Sequence, residues 1–149
     1  MKKLIVPLAV VGMLMLLAAA VAWDCVRLAA DARYRVSLAD QEMQKHERRL
    51  VKLLSDSSAS SPELQSAVAT YQKADDLKTR HEAYERLVAS FRKHITDEID
   101  STNPLDRKFM DDVAGAINRR EIAEKQYDAE TAACDSYLNS WRGRVATSL

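Results

Sequence analysis

The chain is poor in the residues that interrupt helices: three glycines and three prolines among 149 residues leave few points where a helix has to stop. It also lacks a charge of one sign. Lys+Arg and Asp+Glu both number 22, so no sequence-wide field draws in polyanions, and a nucleic-acid partner is not expected. No segment alternates apolar and polar residues as a strand does, and no repeat of solenoid length stands out. Glycine-rich phosphate loops and nucleophile elbows are absent as well. With no reaction chemistry in view, the chain is not expected to be an enzyme, and no cofactor is expected.

What is present begins with a long apolar run. Leu4 to Ala22, LIVPLAVVGMLMLLAAAVA, carries no charged side chain and is about as long as a helix crossing a bilayer core of about 20 residues. Two readings fit it. As a retained single-pass helix, residues 1–22 form a membrane anchor that meets lipid through residues 4–22, with Trp23 at the interface. As a cleaved leader, Ala20-Val21-Ala22 supplies the small residues a peptidase reads, and the mature chain starts at Trp23. Retention is carried forward because the run exceeds a usual leader core and Trp23 suits an interface. Lys2 and Lys3 favour a cytoplasmic N-terminus, which places the rest on the periplasmic or extracytoplasmic side of an inner membrane, although Arg27, Arg33 and Arg35 count against that orientation.

Residues 23–149 are rich in Ala, Leu, Glu, Lys, Arg and Gln and read as one helical domain. Cys25, Ala29, Ala32, Val36, Ala39, Met43, His46, Leu50 and Leu53 recur at steps of four and three, a coiled-coil-like seam predicting a helix over about 24–54 that can continue the membrane helix unbroken. Ser55 to Ser61 is a polar loop. Ser61-Pro62-Glu63 restarts a helix over about 62–99, whose face carries Leu64, Ala67, Tyr71, Ala74, Leu77, His81, Tyr84, Val88, Phe91 and Ile95 with an irregular step after Ala74. Asp100 to Pro104 makes the next turn, capped by Thr102 or Asn103. A third helix over about 104–142 has Phe109, Val113, Ala116, Ala123, Tyr127, Thr131, Cys134, Leu138 and Trp141 on one stripe, interrupted by Arg120 and closed by Gly143. The fold class expected is all-α: an N-terminal transmembrane helix followed by an elongated antiparallel three-helix bundle running up, down, up. Pairs such as Asp76 with Arg80, Glu82 with Arg86 and Glu121 with Lys125 read as solvated faces.

That topology constrains the candidate sites. It puts His81 near the level of Val36, roughly 15 Å from His46 at the helical rise, so the seam histidines share no metal and read as core histidines with polar partners. His81-Glu82-Ala83-Tyr84-Glu85 lacks the second histidine of a zinc-protease helix. Cys25 and Cys134 fall at opposite ends, too far apart for the Cα separation of about 4.4–6.8 Å that a disulfide needs. Cys25 is the better candidate for a bridge between two copies in a homo-oligomer. His46, Tyr71 and Cys134 fall at one height as a possible polar layer in the core, against the alternative of unrelated side chains at different rotations.

In the third helix Asn118-Arg119, Ala123, Tyr127-Asp128, Thr131, Cys134-Asp135, Leu138 and Trp141 follow a register that resembles the late helix of the LemA family. Trp23-Asp24 and Arg48-Arg49-Leu50-Val51-Lys52-Leu53 resemble that family's earlier segments. The family's proline after the aliphatic stretch is missing, Arg142 stands where its final proline would be, and the middle is shorter. The resemblance implies a membrane-anchored elongated helical bundle and carries over no catalytic residue. The function expected is a protein-interaction or scaffold role toward a protein partner. The alternative is a soluble exported helical protein that holds a ligand or client after cleavage.

Overall fold

A computed structural model describes residues 2–56, 61–98 and 103–148, with side chains described from residue 10 and omitted from residue 95 to 102. The chain is helical: α1 (Lys2–Asp56), α2 (Pro62–Gln72), α3 (Leu77–Glu98), α4 (Pro104–Asn139) and α5 (Trp141–Thr147), with no strand among the described residues. The expected continuity of the first helix is observed, since α1 passes from the apolar run through Leu54 without a break. The centre of the Ser55–Ser61 loop and most of the Asp100–Pro104 turn, Thr102 included, lie outside the described residues.

The capping signals act where the sequence places them. Ser61 Oγ accepts from the Leu64 N–H at 3.2 Å, with Pro62 at the start of α2 and Glu63 in its first turn. Asn103 Oδ1 accepts from the Leu105 N–H at 3.0 Å ahead of Pro104. Both satisfy donors that have no partner within the helix.

The single helix expected over 62–99 is two. After Gln72 the chain turns, and Asp76 caps α3 by accepting from the Thr79 N–H at 2.9 Å. These hydrogen bonds hold the Asp76 carboxyl below its ordinary range. Four consecutive residues, Lys73 to Asp76, stand between the helices, and α2 packs on α3. The irregular step after Ala74 is therefore a break. Asp76 serves the backbone of α3 rather than pairing with Arg80 on an exposed face.

The chain divides into two compact units, residues 1–41 with 124–149, and residues 42–123. The second has an apolar core of Leu50, Val51 and Leu54 from α1, Leu64, Val68 and Tyr71 from α2, Ala83, Tyr84, Leu87, Val88 and Phe91 from α3, and Val113 and Ala116 from α4. Phe91 meets Phe109 edge to face, with ring centroids 6.1 Å apart. The first unit buries Cys25, Ala29, Cys134 and Gly143. In it the Tyr137 hydroxyl donates to the Cys25 carbonyl at 2.9 Å.

Gly143 does not end the long helix. Helix α4 stops at Asn139, Ser140 caps α5 through the Gly143 N–H at 3.2 Å, and Gly143 lies inside α5 without a positive φ. A Cβ there would strike the Tyr137 carbonyl oxygen and sit 2.6 Å from that of Leu138. The glycine is needed for close approach, not for a left-handed cap. Trp141, expected on the inward stripe, follows the break and is exposed.

Candidate functional site: a buried carboxylate shared by two arginines

On α1, Met43, Glu47, Leu50 and Leu54 succeed one another at steps of four, three and four, and all are buried. Glu47 thus occupies a core position, and its exposure is 0 %. A carboxylate removed from water needs donors, since its hydration is lost on folding. Three helices supply them. Tyr71 of α2 donates its hydroxyl to Glu47 Oε2 at 2.8 Å, Arg80 of α3 brings Nε to 3.3 Å of the same oxygen, and Arg120 of α4 brings Nε to 3.4 Å of Oε1.

Arg120 is itself 1 % exposed. Its Nη2 lies 2.9 Å from Nδ1 of His81, and its guanidinium carbon sits 4.4 Å from the centroid of the Tyr84 ring. The aromatic face attracts the cation where water cannot. The cluster ties α1, α2, α3 and α4 together through one anion. Burial, followed by the hydrogen bond to Glu47 and its negative charge, raises the Tyr71 phenol well above its ordinary range. Burial raises Tyr84 likewise, opposed by the Arg120 charge. Both phenols are therefore neutral at ordinary pH, and Tyr71 is the one that donates.

Chemically the arrangement is a charged joint inside the core. Glu47 already accepts from Tyr71 and Arg120, pairs with the charge of Arg80, and has no exposed surface on which a substrate could meet it. Among the described residues, no group of three His, Cys, Asp or Glu side chains could hold a metal ion.

Tyr71 does reach the helix turn that carries His46, but its partner is the adjacent Glu47. His46 is half-buried, and its Nδ1 has no hydrogen-bond partner. Cys134 belongs to the first unit, whereas His46 and Tyr71 belong to the second. His81 is an exposed residue rather than a core histidine, and the buried histidine is His94. The neighbour of His81, Arg80, reaches Glu47. The height comparison assumed one unbroken helix from 62 to 99, and the break at Lys73–Asp76 removes that premise.

The expected separation of the cysteines is not observed: the Tyr137 hydroxyl, one turn after Cys134, donates to the Cys25 carbonyl. Both thiols are free and buried. A bridge between copies through Cys25 lacks an exposed thiol. Trp23 lies within α1 with its side chain 74 % exposed, directly after the apolar run.

A groove adjoins the cluster within the second unit. It has a volume of about 610 Å³ and is walled by one face of α1 (Gln44, Arg48, Val51, Lys52, Ser55), by Tyr71 and Gln72 of α2, by Ala74 and Asp75 of the turn, and by Arg80 of α3.

Glu47 and Arg120 were not picked out from the sequence, yet each had a signal. Glu47 stands in step with Met43, Leu50 and Leu54. Arg120, read as interrupting its stripe, stands four residues after Ala116 and three before Ala123, in phase with it. Opposite charges at inward-facing positions of two apolar stripes mark partners.

No family model, curated protein or solved structure matches the chain.

Proposed function

We propose that the protein is held in a membrane by the apolar part of α1 and offers its helical portion, an elongated antiparallel bundle of the LemA kind, as a binding surface for a protein partner, without catalysis of its own. One observation carries the reading. Val10, Val11, Met13, Leu14, Met15, Leu16 and Leu17 are each more than half exposed. Steps of about 100° spread these residues around the whole helix, and a helix apolar on every side is stable only inside a core or in lipid. By length and composition this is a helix able to cross a membrane. The basic pair Lys2 and Lys3 supports an inner-membrane, single-pass placement with the bundle outside the cytoplasm. For the bundle, the support is the LemA-like register from Asn118 to Leu138 and the burial of Ala123 and Cys134 within it.

A second reading, an exported soluble protein that holds a ligand after cleavage at Ala22, is favoured by the groove beside Arg80. Fractionation with N-terminal sequencing separates the two. Retention of the intact N-terminus in carbonate-washed membranes is expected, and a soluble chain beginning at Trp23 would overturn the first reading.

A further inference from the structure

We infer that the groove between α1, the end of α2 and the start of α3 is a binding site for a phosphate-bearing anion. Its wall carries three cations, Arg48, Lys52 and Arg80, against one carboxylate, Asp75. The charge is local, since the whole chain is balanced at 22 of each sign. Arg48, Val51, Lys52 and Ser55 fall at steps of three and one along α1 and so share a face. On the opposite wall Arg80 is 15 % exposed, with Nε fixed 3.3 Å from Glu47. Held there, Arg80 adds positive charge to the groove wall, while the exposed Arg48 and Lys52 supply the groups that reach a ligand.

A guanidinium fork and an ammonium, with the Arg80 charge beside them, match a group carrying more than one negative charge and several acceptor oxygens, which is the chemistry of phosphate. The Tyr71 hydroxyl is engaged by Glu47. The ring of Tyr71, with Val51 and Ala74, leaves apolar lining beside the cations. A volume of about 610 Å³ lies in the range of about 300–1,000 Å³ usual for ligand sites and exceeds what phosphate alone fills. The ligand class is therefore a phosphorylated organic molecule, either free in solution or the headgroup of a lipid. The inference stands on the groove and does not require that α1 span a membrane.

Lys52 is an exposed reporter inside the groove, and Lys45 and Lys93 are exposed lysines outside its lining. The full chain in neutral detergent is labelled with an amine-reactive reagent while pyrophosphate is titrated, and each lysine is followed by mass spectrometry. Saturable slowing at Lys52 alone is expected, and Arg48→Gln, an exposed change, should raise the half-protecting concentration about tenfold. A parallel arm uses nanodiscs of phosphatidylcholine with or without phosphatidic acid. Protection by pyrophosphate indicates a soluble phosphate compound, and protection only with phosphatidic acid indicates a headgroup. Protection in both arms supports the shared chemistry. No selective protection of Lys52 in either arm, or the same response in Arg48→Gln, overturns the proposal.

Discussion

Glu47 carries a negative charge at a position where its neighbours are Met43 one turn before, Leu50 one turn after and Leu54 two turns after. The cost of burying it is offset only while its donors stay in place. Removing it leaves Arg120, 1 % exposed, as a buried cation without its carboxylate. Breaking a buried pair from one side costs about 3–5 kcal/mol, whereas replacing all its members by apolar residues is often neutral. Glu47→Ala should therefore lower the unfolding free energy by about that amount in urea titrations followed by circular dichroism. Glu47→Leu combined with Arg80→Met and Arg120→Met should recover most of the loss. A single-variant cost below about 1 kcal/mol, the size of an exposed ion pair, would show that the carboxylate does not hold the helices together.

Among the elements, the two short breaks decide the packing. Lys73–Asp76 allows α2 and α3 to pack as separate helices, and Arg80, in the first turn of α3, reaches Glu47. Ser140 does the same on a smaller scale for α5, whose closeness to the end of α4 depends on Gly143. Gly143→Ala should cost about 1–3 kcal/mol, because the obstructing atoms are backbone and cannot rotate away. The Trp141 fluorescence should change with it. Gly115 offers the contrast: nothing lies within 4 Å of a Cβ built there. Gly115→Ala in the interior of α4 should stabilise by about 0.5–1 kcal/mol through helix propensity. Thermal unfolding of both variants checks the pair, and loss of stability in Gly115→Ala would contradict this account of α4.

For the molecule as a whole, alkaline pH is the condition to which the buried cluster is sensitive. Tyr71 and Tyr84, two of five tyrosines, have folded-state pKa values raised above the ordinary value of 10.0. Above pH 10 the unfolded chain releases these protons first, so it binds fewer protons than the folded chain and stability falls as pH rises. The contribution is complete below about pH 10 and is lost as pH climbs toward the raised folded values. Tyrosinate absorbance should show these two groups ionising late, together with the loss of helicity. Tyr84→Phe removes a hydroxyl that has no hydrogen-bond partner and keeps the ring under Arg120. Its stability should fall less steeply above pH 10 than that of the parent, with no loss at pH 7. Equal slopes would contradict the role assigned to burial.

The sequence by itself determined the helical class, the unbroken apolar beginning of α1, the caps at Ser61 and Asn103, and most inward-facing positions, because these depend on local propensity and on spacing along one helix. Tertiary structure decided what the stripes meet. Whether Lys73–Asp76 is an irregular step or a break between helices depends on the docking of α2 on α3, and height comparisons that assumed one helix over 62–99 lose their premise with it. Glu47 and Arg120 are in phase with their stripes, but a charge at an inward position becomes intelligible only when its partner on another helix is known. That pairing spans 73 residues of chain, and periodicity within one helix carries no information about it.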